Sequence, residues 1–378
     1  MGQLFTEIEM DNVRKSLSKA SVIPTVCYRD PSYHEKEVEQ VLMRSWIPVG
    51  RKDQLVAAGD YFTVNLFGES VVLVKGRDNQ IRALSNVCRH RATQVVDDGA
   101  GSKKMFTCPY HKWVYNLDGS LRGAPHMEQA DGFDRKKCKL PEFQLEDWNG
   151  FLFLNFDANA EPLAPQLEPL TKALAPYDMK SMKSIPFKTL SCKWNWKASM
   201  ENFTEAYHHI GIHADTVEPF MRAVDVKYED SNNAYSLFWM PTKTKEALTS
   251  ALGMPAIEGL PEEYTYSTGV ANVYPFLHLL IGRGIILWLD FDIQSVDQHD
   301  LIWHVLVPES TLNLPDFEDR LTPWRERLEK VIDQDIYACT KAGLGQQSRF
   351  FTPGRFSHME KAVHQMHNWL VDAICRGD

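Results

Sequence analysis

Four residues in two short pairs carry the strongest chemical signal in this chain. Cys88 and His90 form a C-x-H pair, and Cys108 and His111 form a C-x-x-H pair. Two thiolates and two imidazoles make a metal donor set. A zinc ribbon is one reading, but zinc sites usually pair like with like, as C-x2–4-C and H-x3–5-H. Here each pair mixes one Cys with one His. That suits a [2Fe–2S] cluster with two thiolates on one iron and two imidazoles on the other. Imidazole ligands raise the reduction potential, which makes such a cluster a one-electron relay.

A second donor set lies in the segment NWKASMENFTEAYHHIGIHADT, with Glu201, Asn202, Glu205, Tyr207, His208, His209 and His213. An iron that activates O2 wants two neutral imidazoles and one carboxylate on one face, with adjacent positions open. Spacing leaves the imidazole pair open. His209 and His213, at i,i+4, would share a helix face. His208 and His213, at i,i+5, require the helix to loosen, which Gly211 permits. Helix geometry alone favours His209.

The stretch NVCRHRATQVV followed by FTCPYHKWVYNLDGS resembles the Rieske domain of Rieske non-haem iron oxygenases, the ring-hydroxylating and N-demethylating group. Ala92 and Lys112 stand where members often have Gly. The chain has no further Cys beside the two loops, so the disulfide that braces the loops of respiratory-complex Rieske proteins is not expected. The run ENFTEAYH-x4-H resembles the family's iron motif. The resemblance implies Cys88, His90, Cys108 and His111 as cluster ligands, and His208 and His213 as imidazole ligands of a mononuclear non-haem Fe(II). It implies a carboxylate ligand late in the chain, in EKVIDQDIYACTKAGL, where Asp335 fits best and Asp333 is the fallback. Glu205 then bridges the Rieske cluster of one subunit to the mononuclear iron of its neighbour, accepting from the free N–H of a bound imidazole. Most ring-dihydroxylating members have Asp there, whereas Glu resembles several carnitine and other quaternary-ammonium oxygenases.

These sites need two kinds of scaffold. From Gly59, strand segments alternate with turns at Gly68-Glu69 and Asp78-Asn79, then with hairpins at Asp118-Gly119 and Asn149-Gly150. Residues 45–160 therefore read as an all-β Rieske [2Fe–2S] domain. The segment 34–47 has apolar residues at helical spacing, and residues 1–44 are expected to pack as a helical segment on the catalytic domain. The Pro-rich DANAEPLAPQLEPL is a connector. Residues 161–378 mix aromatic, β-branched strands with long helices. One helix is expected to start near Thr322-Pro323 and one at Ser357 with Glu360 in a capping box. The fold class expected is α+β, with the all-β domain followed by a helix-grip catalytic domain of antiparallel sheet and helices.

Bulk properties restrict the partners. The chain has 378 residues, a net charge of −9 and seven cysteines. The acidic balance argues against nucleic acid and suits a basic electron-transfer partner. Scattered cysteines read as a reducing cytoplasm without a disulfide framework. The polar start is no signal peptide, and no run approaches a membrane span. Met1-Gly2 with Thr6 partly matches a myristoylation pattern and is read as coincidence. The resemblance implies a homotrimeric terminal oxygenase served by an NAD(P)H-dependent flavin/iron–sulfur reductase, with or without a ferredoxin between. It would use O2 on a small organic substrate, by aromatic-acid ring hydroxylation, as in aromatic hydrocarbon catabolism, or by N-methyl oxidation. A betaine- or carnitine-like monooxygenase is the alternative, and a non-enzymatic Rieske electron carrier a more distant one. A cation cage would draw on Tyr266, Tyr274, Phe276, Trp288 and Phe291, and a carboxylate anchor on Arg283 or Arg222.

Overall fold

The computed structural model of the protein describes residues 7–231, 234–243 and 253–376. The chain divides into two units, Met43–Glu161 and Met1–Leu42 with Pro162–Asp378. The partial myristoylation pattern at Met1-Gly2 and Thr6 lies outside the described residues.

In the first unit, alternating β-formers and tight turns build ten strands. They are β1 (Ile47–Arg51), β2 (Asp60–Leu66), β3 (Glu69–Lys75), β4 (Ile81–Ser85), β5 (Ala100–Ser102), β6 (Phe106–Thr107), β7 (Val114–Tyr115), β8 (Leu121–Gly123), β9 (Glu142–Trp148) and β10 (Phe151–Asn155). One sheet runs β1-β10-β9-β4-β3-β2-β5, and a small sheet runs β6-β7-β8. The β9–β10 turn shows how local sequence sets register. Asn149 and Gly150 take φ of 51° and 86°, the pair of positive φ values that a two-residue I′ turn demands, and Trp148 then opposes Phe151. Val72, Val74, Leu84, Phe106, Trp113 and Tyr115 pack with Cys88 and Cys108 into one core, so the cysteine loops are anchored in the domain's hydrophobic interior.

The second unit begins with α1 (Glu7–Arg14) and α2 (Pro31–Gln40) and continues through β11 (Lys183–Cys192), α3 (Trp196–Phe203), β12 (Lys227–Tyr228), β13 (Tyr235–Pro241), β14 (Ser267–Val273), β15 (Leu277–Ile281), β16 (Ile286–Ser295), β17 (Gln298–Val307), α4 (Phe317–Gln346) and α5 (Lys361–Arg376). The strands form one antiparallel sheet in the order β11-β17-β16-β15-β14-β13-β12. Ala362 of α5 packs with Phe238, Met240 and Val270 of the sheet. This is the α+β helix-grip architecture expected.

Three element boundaries differ from the sequence reading. The helix expected over 34–47 is α2, which starts at Pro31, where Asp30 caps Ser32 N–H and Pro occupies N1, and the chain enters β1 by Ile47. α4 starts at Phe317, so Pro323 lies inside it rather than at its start. The helix expected through MENFTEAYHHIGIHAD stops at Phe203, and Tyr207–Ile210 form a short 3-10 turn. The capping box at Ser357 and Glu360 is present.

Two buried contacts hold α3 in place. Lys197 Nζ lies 2.8 Å from Glu37 Oε1 of α2, with both side chains fully buried, and Trp196 Nε1–H donates to the same carboxylate at 3.2 Å. Burial opposes ionisation of Glu37, but the Lys197 ammonium together with His34 outweighs it and lowers the pKa. Removing either partner would strand a charge, at a cost of about 3–5 kcal/mol. Gly343 of α4 meets Trp194 so closely that a Cβ there would lie 2.5 Å from the Trp194 Cβ. Glycine thus lets α4 reach the start of α3.

Candidate active site

In the first unit, the two Cys/His loops share one backbone design. Cys88 N–H donates to Thr93 C=O at 2.9 Å, and Ala92 N–H returns to Cys88 C=O at 3.1 Å. Cys108 N–H donates to Trp113 C=O at 2.8 Å, and Lys112 N–H returns to Cys108 C=O at 3.1 Å. Each loop closes through a left-handed residue, Ala92 at φ 57° and Lys112 at φ 59°. Glycine would enter that conformation freely, and here Ala and Lys hold it under strain.

The loops separate their donors by chemistry. Cys88 and Cys108 are buried, whereas His90 is exposed and His111 half-buried. The imidazoles are neighbours, with centroids 4.6 Å apart, and His90 stacks on Trp113 at 4.8 Å and 9°. Burial together with the neighbouring His90 and Arg91 lowers the His111 pKa, favouring the neutral ligand form. Tyr115 Oη lies 3.3 Å from Cys88 Sγ and accepts from Arg89 N–H at 3.0 Å. Two thiols inside and two imidazoles outside fit a two-iron cluster with a different ligand pair at each end better than one tetrahedral zinc. All seven cysteines are free.

In the second unit, the end of α3, the turn after it and α4 converge. Donor atoms of His208, His213 and Asp335 lie within 4.8 Å of one another. His213 Nε2 is 2.9 Å and His208 Nε2 is 3.6 Å from Asp335 Oδ1. Because the helix has already ended, the i,i+4 argument for His209 does not apply. His209 is buried beside both rings, 4.8 Å from His208 and 5.4 Å from His213, yet it stands outside that donor group, and its Nδ1 has no hydrogen-bond partner. Burial, then the two neighbouring imidazoles, drives its pKa down to about 3. Asp335 is buried, whereas Asp333 is exposed and is absent from the cavity lining.

Hydrogen bonds fix which nitrogen each imidazole presents. His208 Nδ1–H donates to Glu205 Oε1 at 2.6 Å, while Glu205 Oε2 accepts from His208 N–H at 3.0 Å. His213 Nδ1–H donates to Gln334 Oε1 at 2.8 Å, an oxygen that also accepts from Thr216 Oγ1–H at 2.7 Å. Both rings therefore carry the lone pair on Nε2, facing Asp335. Asn202 Nδ2–H donates to Asp335 Oδ1 at 2.8 Å and orients that carboxylate. Burial opposes protonation of His208, but the Glu205 bond and the charges of Glu205 and Asp335 outweigh it and raise the pKa. Two imidazoles and one carboxylate on one side of a site are the donor set of a non-haem Fe(II) centre with open positions. Gln334 was not singled out from the sequence. It is an ordinary amide next to an acid, and only the fold sets it against His213.

The donors open on a cavity of about 340 Å³ lined by Phe203, Phe220, Trp303, Trp324, His278 and Arg327 among others. The expected cage residues Tyr266, Tyr274, Phe276, Trp288 and Phe291 are not in that lining. Tyr274, Phe276, Trp288 and Phe291 are buried in the core, Trp288 at 1% exposure, and Tyr266 lies half-buried just ahead of β14. Arg222 is bound to Asp225 at 2.6 and 2.8 Å, and Arg283 does not line the cavity. Arg327 does, from the exposed side of α4.

Comparison with known proteins matches residues 45–144 to the Rieske [2Fe-2S] domain and residues 179–375 to the ring hydroxylating alpha subunit (catalytic domain). The carnitine monooxygenase oxygenase subunit of Escherichia coli K12 is 38% identical over 200 residues, covering 52% of this chain and 54% of that protein. The glycine betaine monooxygenase oxygenase subunit of Pseudomonas aeruginosa PAO1 is 29% identical over 213 residues, covering 56% and 49%. These alignments span about half the length of the curated relatives. Among solved structures, a quaternary ammonium Rieske monooxygenase with L-carnitine bound superposes with a TM-score of 0.78 at 23% identity, covering 100% of both chains. Naphthalene 1,2-dioxygenase from Rhodococcus gives 0.78 at 19%, covering 98% and 99%. At such identities these structures establish the shared fold. The catalytic-domain match takes in over half of the 378 residues, and the chain belongs to the ring hydroxylating alpha subunit family, with a Rieske [2Fe-2S] domain ahead of its catalytic domain.

Proposed function

We propose that this protein is the terminal oxygenase of a multicomponent Rieske system and oxidises a quaternary ammonium acid at a carbon bonded to nitrogen. In this reading Cys88, His90, Cys108 and His111 hold the [2Fe–2S] cluster, and His208, His213 and Asp335 hold a mononuclear Fe(II). The observation that carries it is the convergence of the three donors on a cavity walled by Phe203, Phe220, Trp303 and Trp324. Aromatic faces attract an alkylammonium without requiring a carboxylate beside it. Arg327, at the exposed edge of the lining, suits the carboxylate of a zwitterion. The similarity to carnitine and glycine betaine oxygenase subunits supports the same class.

When bound, the two iron centres supply single-electron delivery and O2 activation. This chain's residues do the rest. Glu205 and Gln334 hold the imidazole tautomers, Asn202 steadies Asp335, and the aromatic wall keeps the cationic end of the substrate near the donors. Glu205 also lines a second opening with Glu201, Glu360 and His367, a placement that suits its role as the bridge toward a neighbouring subunit's cluster. A homotrimer, a flavin/iron–sulfur reductase with or without a ferredoxin, and a cytoplasmic setting complete the proposal. No described helix is long and apolar enough to cross a membrane, and seven free cysteines suit a reducing compartment.

Hydroxylation next to a quaternary nitrogen gives a carbinolamine that breaks its C–N bond. A methyl carbon leaves as formaldehyde, and a chain carbon leaves as an aldehyde with release of trimethylamine. The test is reconstitution with a generic reductase, following NADH and O2 consumption with quaternary ammonium acids and aryl carboxylates. Formaldehyde or trimethylamine in step with NADH is expected. Coupled consumption with an aryl acid and neither product would establish ring hydroxylation, the second reading, which the largely apolar lining of Val270, Leu280, Ile285, Leu287 and Leu328 also accommodates.

A further inference from the structure

Most of the sheet face toward the cavity is apolar, but one cross-strand row is polar. Ser236 on β13 opposes Asn272 on β14, and Asn272 opposes His278 on β15. All three are buried, with Ser236 and Asn272 at 0% exposure and His278 at 4%. Asn272 Nδ2–H donates to Ser236 Oγ at 3.1 Å, and His278 Nδ1 lies 2.7 Å from Asn272 Oδ1. Beyond this row, Tyr274 Oη–H donates to the Ala362 carbonyl of α5 at 3.4 Å.

The Asn272 amide sets the direction of the row. The Ser236 oxygen accepts from Asn272 Nδ2–H. Asn272 is left with its carbonyl oxygen toward His278, which must donate from Nδ1–H. His278 Nε2 therefore carries a lone pair, and it has no hydrogen-bond partner among the described residues. The residue lines the cavity, on the same strand face as Leu280, two positions on. It is not among the clustered metal donors.

We infer that His278 is a specificity-determining residue: its Nε2 accepts a hydrogen bond from a hydroxyl of the substrate, so the site selects a hydroxylated quaternary ammonium acid over its deoxy counterpart. The inference rests on the quaternary ammonium reading above. A substrate that excludes water yet offers no donor leaves a buried acceptor unpaired, and a site built around a hydrogen bond rejects such an analogue. Asn272 is a positioning residue, acting through the tautomer it imposes.

L-carnitine and γ-butyrobetaine, named for bound forms of a structural neighbour, differ by one hydroxyl and serve as probes. Their dissociation constants would be measured by anaerobic calorimetry on the reconstituted holoenzyme. The wild type is expected to bind L-carnitine about tenfold more tightly. In His278→Leu the ratio should fall to about one, while cluster absorbance persists. Asn272→Leu, which keeps the ring but frees its tautomer, should also lower the ratio, and it carries the test if His278→Leu does not fold. Equal binding by the wild type, or an unchanged ratio in a folded variant that binds both acids, overturns the role of His278 and leaves the substrate class standing. Binding of neither acid by the wild type overturns the class, and the inference with it.

Discussion

Replacing Gln334 by Leu tests whether hydrogen bonds behind the imidazoles tune the metal site. Gln334 Oε1 accepts from His213 Nδ1–H at 2.8 Å and from Thr216 Oγ1–H at 2.7 Å. His213 is 1% exposed, so water does not replace the lost acceptor. A buried donor without a partner costs about 1–3 kcal/mol, and every 1.4 kcal/mol is about tenfold in affinity. Loss of the bond also frees the ring to place its proton on Nε2, the atom that faces Asp335. Iron affinity at the mononuclear site should therefore fall about 10- to 100-fold, the range seen when such outer partners are removed. Gln334→Glu keeps an acceptor and should retain iron. The assay is Fe(II) competition against a chromogenic chelator, with cluster absorbance as an internal standard for folded protein. Iron affinity within twofold of wild type in Gln334→Leu would refute the reasoning, because it would mean that His213 needs no partner to present Nε2.

Four further outcomes are expected. Asp335→Ala should lose mononuclear iron with an intact cluster spectrum, while Asp333→Ala, at an exposed position of α4, should keep both; the reverse pattern in metal analysis would move the ligand to Asp333. Glu205→Gln can still accept from His208 Nδ1–H and should hold iron, but without the carboxylate its single-turnover rate with a prereduced cluster should drop at least tenfold, about 1.4 kcal/mol; a wild-type rate would remove Glu205 from the bridging role. Ala92→Gly relieves a left-handed φ of 57° and should stabilise the cluster domain by about 1 kcal/mol, read as a higher denaturation midpoint with unchanged slope. Burial lowers the His278 pKa to about 3, so the folded protein stays unprotonated there while the unfolded chain takes up a proton below about pH 6.5. Stability should thus fall by about 1.4 kcal/mol per pH unit from 6.5 toward 3. His278→Leu should lack that increment, and identical pH slopes in denaturant titrations would contradict it.

Local chemistry was legible where a few adjacent residues settle the matter. Cys88-x-His90 and Cys108-x-x-His111 announce a mixed donor set because ligand identity and loop closure are short-range properties. Asn149-Gly150 dictates its hairpin because only such residues readily take φ of 51° and 86°, and Ser357 with Glu360 caps a helix start for equally local reasons. Ala92 and Lys112 show the limit of that logic, since their left-handed backbone is imposed by loop hydrogen bonds against their own preference.

The mononuclear site depends on distance along the chain. Helical periodicity pointed to His209 and His213, but the helix ends at Phe203, and the turn that follows brings His208 and His213 together. That Asp335 rather than Asp333 lies beside His208 and His213 depends on which face of α4 meets α3, a rotation that Gly343 against Trp194 helps set. Gln334, the aromatic wall of the cavity and the tautomer of His278 follow from sheet register and helix packing between segments as far apart as His213 and Asp335, 122 positions along the chain. The sequence by itself determined which chemistries were available and which turns and caps would form, because those follow from near neighbours. Only the tertiary structure decided which histidines share a centre with which carboxylate and what surrounds them, because long-range contacts depend on the packing of whole elements.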